Sequence, residues 1–419
     1  MIDGEETETA QREAFVARIL LLFAMLPIAL IGTRSEAQFG FTAGQSTGID
    51  PSVRLSGMGR TGTAVFWGSD LNDWANPALL PYNRGLRYER SKTQLVPDLA
   101  RDVFFTTNRM LWGRWGVGLA MAGWPIDAVG GNKVDYGVTV VTDANGNDVG
   151  KVHTTEDDNT IGVGMNAAQA LENAGLALGH RLPPISHFAD VSLGHTWKRV
   201  KYREEGTAAF FGSASVNERD RGYLLRVTPY DAIGYPGMVP WLESILRVKI
   251  EASYGAAEQN DGDRVVTYST GTTLPVIQDH RQGRAFRVGI AFPQSVENSW
   301  HREGRSWIYE LLTPLVSYGS TSERSQRYLR GNVAGDEVNR RGWEITVANI
   351  FSYREGHVDD PTSTVIGQTF GWGVGLHLGD LAGVQYDHAT VPQSVYLANV
   401  KRNGFSLHLD PVRVIRGLR

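Results

Sequence analysis

Phe370–Gly379 reads FGWGVGLHLG. Phe370, Trp372, Val374, Leu376 and Leu378 form one set of alternate positions, and Gly371, Gly373, Gly375, His377 and Gly379 the other. A period of two belongs to a β-strand, whose successive side chains point to opposite faces; here one face is large and apolar, the other small. Arg284–Pro293 (RAFRVGIAFP) repeats the pattern, with Phe286, Val288, Ile290 and Phe292 against Ala285, Arg287, Gly289 and Ala291.

The pattern recurs outward from these two stretches. Trp115, Val117, Leu119 and Met121 alternate with glycine and alanine, and Val248, Ile250, Ala252 and Tyr254 with Lys249, Glu251 and Ser253. Tyr223, Leu225 and Val227 enclose Arg226; Trp343, Ile345 and Val347 enclose Glu344; Val384 and Tyr386 precede Asp387; Phe405, Leu407 and Leu409 enclose His408. About fourteen such segments are separated by turn-rich stretches. A β-sandwich also alternates, but its outer face is liberally charged. Here the second face is glycine, alanine and charges of both signs, which suits a crowded lumen. Trp112, Trp115, Trp124, Trp197 and Tyr353 stand near segment ends, as an aromatic girdle requires. The reading is all-β: a transmembrane antiparallel β-barrel of about 14 strands. On it Arg226, Lys249, Glu251, Arg287, Glu344, Asp387 and His408 face the lumen as a solvated or mutually paired inner wall.

The bulk properties agree. A mean hydropathy of −0.24 is too low for a helical membrane protein but natural for a barrel whose two faces average out. The 419 residues include no cysteine, which suits passage through an oxidising compartment. A net charge of −4 offers no basic footprint for nucleic acid.

Ile19–Gly32 (ILLLFAMLPIALIG) is an apolar run too short to span a bilayer, preceded by Arg12 and Arg18 and followed by TRSEA. That layout predicts a signal peptide over 1–37, cut between Ala37 and Gln38. The acidic stretch Met1–Glu13 does not suit a leader, and translation from Val16 would give a conventional one. Residues 38–83 are expected to form an N-terminal plug segment and 84–419 the barrel. Thr142–Val149, Gln259–Arg264 and Ser320–Glu337 are polar enough to predict extracellular loops; Asn166–Leu176 and Pro236–Leu246 predict short helices.

Enzyme motifs are weak. Gly57–Gly62 (GMGRTG) matches a dinucleotide fingerprint in letters but lacks the preceding hydrophobic strand. Asp143–Asp148 lacks the glycine and glutamate of a calcium loop. No HExxH, GxSxG or phosphate-binding loop occurs, so the chain reads as a non-enzyme without a cofactor.

Leu55–Leu80 (LSGMGRTGTAVFWGSDLNDWANPALL) resembles the plug-and-first-strand region of FadL-type outer-membrane transporters and their PorV/PorQ relatives. The likeness rests on Gly57-Met58-Gly59, Thr61–Ala64, Ser69-Asp70 and Asn76-Pro77-Ala78. Gly342-Trp343-Glu344, Arg354-Glu355-Gly356, Phe370–Leu376 and Val384-Gln385-Tyr386 resemble the PorV side. The resemblance implies a bacterial outer-membrane barrel in contact with lipid, with Gly57, Met58, Gly59, Gly62, Asn76, Pro77 and Ala78 in its plug. Its FadL side implies hydrophobic small molecules as cargo and a lateral opening toward the bilayer. Its PorV side implies a type IX secretion component that binds exported proteins. A soluble periplasmic β-protein is the third alternative. Within the plug, Asn76 is expected to hydrogen-bond backbone groups and pin the segment to the first strand.

Overall fold

The computed structural model describes residues 43–412 except 69–70, 115, 124–130, 143–144, 181, 208–211, 380 and 394–396. The leader, the alternative start at Val16, the cut after Ala37, Trp115 and Trp124 lie outside the described residues.

The alternating segments become fourteen antiparallel barrel strands. In chain order they are β1 (Gly85–Gln94), β2 (Phe104–Arg114), β3 (Val117–Ala122 and Gly131–Thr142), β4 (Asp148–Asn166), β5 (Ala189–Gly206), β6 (Ser213–Asp231) and β7 (Arg247–Gly262). Then follow β8 (Ile277–Ala291), β9 (Val316–Leu329), β10 (Val338–Val347), β11 (Phe351–Asp360), β12 (Val365–Leu378), β13 (Ala382–Val391) and β14 (Val400–Leu409). Each pairs with its sequence neighbours, and β1 pairs with both β2 and β14, so the sheet closes on itself. Closure excludes the sandwich and leaves no edge strand with unpaired backbone groups.

Alternation sorts the two faces. On β12, Phe370, Trp372, Val374 and Leu376 are exposed while Gly371, Gly373 and Gly375 are buried. Across neighbouring strands the outward residues form rows: Val288, Tyr318, Ile345, Tyr353 and Trp372 are successively opposed from β8 to β12. These rows make an apolar belt around the barrel.

Two predicted loops are strand instead. β7 runs on through Gln259 to Gly262, and β9 covers Ser320–Leu329, leaving only 330–337 as the connection to β10. The polarity that suggested loops has another source. Inward Gln259, Glu323 and Ser325 are buried against polar partners, and outward Ser322 and Arg324 lie beyond the belt. β4 and β6 have 19 residues each, about twice the 9–11 needed to span a bilayer. Thr142, Asp148 and Val149 likewise belong to strands rather than to the loop predicted there.

The two predicted helices sit in connections at the end of the barrel where β1 begins, as Ala167–Ala177 and Pro240–Glu243. Asn166 caps the first, its side chain accepting from the Gln169 N–H. Helices Gln294–Arg302 and Ser306–Leu312 at the same end were not anticipated. This end is called the near end below.

Arginine at Val374 or Leu376, both on the belt, should cost about 2–4 kcal/mol in a denaturant titration of the lipid-reconstituted barrel. Gly289 faces inward, and a Cβ there meets only Ile233 and Pro314, the nearest atoms at 3.7 Å. Gly289→Arg should cost distinctly less; equal losses at 289 and 374 would mean that the faces are misassigned. Gly373, also inward, has no such room, because a Cβ there collides with Asp387 and Gln385.

Candidate functional site

Residues 43–83 lie against the inner face of the barrel, and their local structure follows from a few capping groups. Ser52 caps a short helix, Val53–Gly57, by accepting from the Leu55 N–H at 3.0 Å. Asn76 caps a 3-10 helix, Pro77–Tyr82, accepting from the Ala78 N–H at 3.0 Å, and Pro77 occupies the first turn, where a missing N–H costs nothing. The side-chain amide of Asn76 also donates to Thr63 O at 2.8 Å and Tyr223 O at 3.0 Å. Asparagine thus does the predicted kind of work, but it ties the segment to β6 and not to β1. The reason is topological: Pro77–Tyr82 lies across β3–β6 before the chain turns back into β1.

The inner glycines make that approach feasible. Gly113, Gly118, Gly164, Gly194 and Gly222 occupy opposed positions on β2 to β6. A Cβ at Gly118 or Gly164 would strike Leu80, one at Gly194 would strike Pro77 and Ala78, and one at Gly222 would strike Asn76. On the opposite wall, a Cβ at Gly342 or Gly356 would run into Met58 and Gly59. Gly59 has φ +72°, and its own Cβ would crowd the carbonyls of Arg341 and His357. Thr369 completes this contact: its hydroxyl donates to Gly57 O and accepts from the Gly59 N–H, both at 2.9 Å. Gly62 donates to Glu323 at 3.0 Å and packs on Ala75, while Ala78 O accepts from Ser192. The geometry around Gly57–Gly62 is that of a helix end followed by turns, unlike a nucleotide fingerprint.

Buried ion pairs clamp the same segment. Arg54 makes a two-pronged contact with Glu344 at 2.9 and 2.7 Å, and Arg354 bridges Glu344 at 2.5 Å and Asp387 at 2.6 Å. Arg281 reaches Glu323 at 2.7 Å and Arg60 O at 3.0 Å; Arg109 joins Glu89 at 2.8 Å to Asp73 at 3.2 Å. Arg402 bonds Ser56.

The seven residues read as lumen-facing all occupy inward positions, in three places. Arg226, Lys249, Glu251 and Arg287 gather around Asp190 and Asp231, with Arg226–Glu251 at 3.1 Å and Lys249–Glu251 at 3.2 Å. Glu344 and Asp387 meet through Arg354. His408 stacks on His377, ring centres 5.3 Å apart. Arg54, Arg281, Glu323, Arg354 and Arg402, central to the clamp, were missed as site residues. The inward parity of the four strand residues was legible; the contacts Arg54–Glu344, Glu323–Thr63 and Arg402–Ser56, which span 290, 260 and 346 residues, were not.

Two chambers of about 240 and 380 Å³ open at the near end and share Trp67, Arg87, Arg287 and Pro314. Their walls carry Arg54, Arg84, Arg226, Lys249, Glu251 and Glu344, a surface hostile to an apolar solute.

A third feature lies in the wall. β3 is split: on β2, Met110 pairs with Met121 and Asn108 with Gly131. Beside the split is a cavity of about 20 Å³ lined by outward-facing Met110 and Met121 together with inward Trp74, Arg109, Ala120 and Lys198. Groups of both faces meet there.

No protein-family model matches the sequence, and no curated protein matches it. Among solved structures the chain is similar to the toluene transporter TbuX of Ralstonia pickettii, at 10% identity over 86% of this chain and 98% of that one, TM-score 0.41. It is also similar to a FadL homologue of Pseudomonas aeruginosa, at 9% over 85% and 97%, TM-score 0.32. The transport unit of the autotransporter AIDA-I of Escherichia coli matches at 8% over 87% and 97%, TM-score 0.32.

Asn76→Ala leaves the Thr63 and Tyr223 carbonyls without this donor, a cost of about 1–3 kcal/mol for each buried group left unpaired. The barrel should still assemble, shown by heat-modifiable migration, and its planar-bilayer conductance should rise. Asp50 tests the segment through pH. Burial pushes its carboxyl above the usual 3.8, against the opposing pull of Arg402 and Arg281. The folded state therefore holds the proton more tightly than the unfolded one. Stability from this group is full below 3.8 and is lost as pH rises through the raised value. Asp50→Asn should flatten that slope in thermal unfolding; an unchanged slope would discharge Asp50 from the role.

Proposed function

We propose that the chain is a bacterial outer-membrane barrel that admits hydrophobic small molecules and releases them sideways through its wall, residues 43–83 serving as the plug that closes the straight path. The observation that carries this reading is the split in β3, with a cavity that joins lipid-facing and inward residues. An apolar solute that met the near-end chambers would have to displace water from buried guanidinium and carboxylate groups, whereas the wall beside Met110 and Met121 leads to hydrocarbon. At about 20 Å³ the cavity holds roughly one water, so the described state is closed and passage requires Trp74 or its neighbours to move.

The apolar outer belt and the closed ladder support the outer-membrane assignment, and export by a signal peptide is part of the same proposal. A secretion component that binds exported proteins remains the second reading; exposed Trp241, Ile245 and Trp307 on the near-end connections are what favours it.

Trp74→Ala enlarges the wall cavity. In proteoliposomes it should raise uptake of an uncharged aromatic hydrocarbon about tenfold, equivalent to a barrier lower by ~1.4 kcal/mol, without raising sugar permeation. Equal gains for hydrocarbon and sugar would place the path through the plug and not through the wall. No gain in either would remove the transport reading and leave the secretion reading standing.

A further inference from the structure

The outer face of β8–β11 carries a cluster that neither the plug nor the wall cavity uses. Arg284, Ser322 and Arg341 are successively opposed on β8, β9 and β10, with Tyr254 and His357 continuing the row at either side. One step toward the far end, Arg324 stands between Gln282 and Asn339. Arg284 and Arg341 are thus two strand spacings apart, about 10 Å, and Arg324 is diagonal to both at about 7–8 Å. All three side chains are exposed. They line a cavity of about 610 Å³ in company with Gln282, Ser322 and Asn339, which offer neutral hydrogen-bonding groups.

The charge here is uncompensated. Inside the barrel Arg54, Arg226, Arg281 and Arg354 each meet a carboxylate. On this outer face, among the described residues, no ion pair joins Arg284 or Arg341 to an acid, and Arg324 approaches Glu337 only at 3.9 Å. Asp359 is the outward carboxylate in the cavity lining, opposite Asn339; Glu323 lines it too but is turned inward to Arg281 and Arg340. Like charges at diagonal positions repel, and an anion between them would relieve that cost.

The row toward the near end is different in kind. Phe286, Ser320, Trp343, Glu355 and Phe370 follow, then Val288, Tyr318, Ile345, Tyr353 and Trp372. A second cavity, about 460 Å³, is lined by Tyr318, Trp343 and Phe370 and shares Arg341 and His357 with the first. A cationic hollow therefore opens directly onto an aromatic one at the margin of the apolar belt. That is the profile of an amphiphile with an anionic head, and planar guanidinium groups match phosphate oxygens in pairs.

We propose that Arg284, Arg324 and Arg341 hold the headgroup of a net-anionic membrane lipid through its phosphate, its acyl chains lying in the adjoining hollow of Tyr318, Trp343 and Phe370. The proposal rests on the outer face meeting lipid. That premise is tested separately by membrane fractionation.

The full chain, folded and purified in a neutral detergent, is titrated with phosphatidylglycerol, with phosphatidylcholine and with inorganic phosphate, and retained lipid is read by native mass spectrometry. Phosphatidylglycerol should bind in preference to phosphatidylcholine, and inorganic phosphate should not displace it. The combined variant Arg284→Gln, Arg324→Gln, Arg341→Gln should lose about a hundredfold in phosphatidylglycerol affinity while retaining phosphatidylcholine as before. Heat-modifiable migration checks that it folds. Equal retention of the two lipids by the unaltered protein overturns the proposal whatever the variant does, as does undiminished phosphatidylglycerol binding by a folded variant. Displacement of the lipid by inorganic phosphate would reassign the arginines to a free anion.

Discussion

Backbone laid directly on backbone is the constraint from which the interior follows. Along β2 to β6 the wall presents five opposed glycines, Gly113 to Gly222, and the chain from Asn76 to Asn83 lies across them with no Cβ between. Side chains of ordinary size at these positions would hold the segment several ångströms off and open a gap beside the wall. Dense packing of this kind tolerates little adjustment, so the glycines on the wall and the small residues of the segment have to match one another. The cost is entropic, since glycine loses the most freedom on folding. Ladder hydrogen bonds on both sides of every strand offset it.

Electrostatics then sets where along the wall the segment rests. Arg54 with Glu344 and Arg109 with Asp73 tie the helix and a loop of residues 43–83 to β10 and β2, and the Arg281–Glu323 pair of β8 and β9 holds the Arg60 carbonyl and the Gly62 and Thr63 N–H groups. Buried pairs of this sort add little net stability, because each ion gives up its water. They do penalise any shifted arrangement, which would leave a charge buried alone. Glycine contact permits the docking, and the ion pairs select one docked position.

The same division explains the molecule's two kinds of space. Near-end chambers inherit the charges of the clamp and are polar; the outward row from Val288 to Trp372 carries none and is apolar. At the β3 split these environments come within one residue of each other, Arg109 and Lys198 on one side and Met110 and Met121 on the other. On the proposed function, a wall that changes polarity over so short a distance would pass an apolar molecule sideways with a small rearrangement.

Period-two alternation by itself determined the strand character, the facing of residues such as Val374 and Glu344, and a count near fourteen. It did so because a strand's side-chain direction is a local property of the backbone. Asn76-Pro77-Ala78 was legible as a capped turn for the same reason. The partners were not legible. Asn76 meets β6 because the closed sheet curls round to it, and Ser320–Leu329 is strand despite its polarity because Glu323 and Ser325 find arginines on the two adjacent strands, Arg281 on β8 and Arg340 on β10. The break in β3 was invisible as well, since both of its segments alternate normally. The strands pair with their neighbours in sequence, but which of them residues 43–83 meet depends on how the closed sheet brings distant parts of the chain together, and only the tertiary structure contains that.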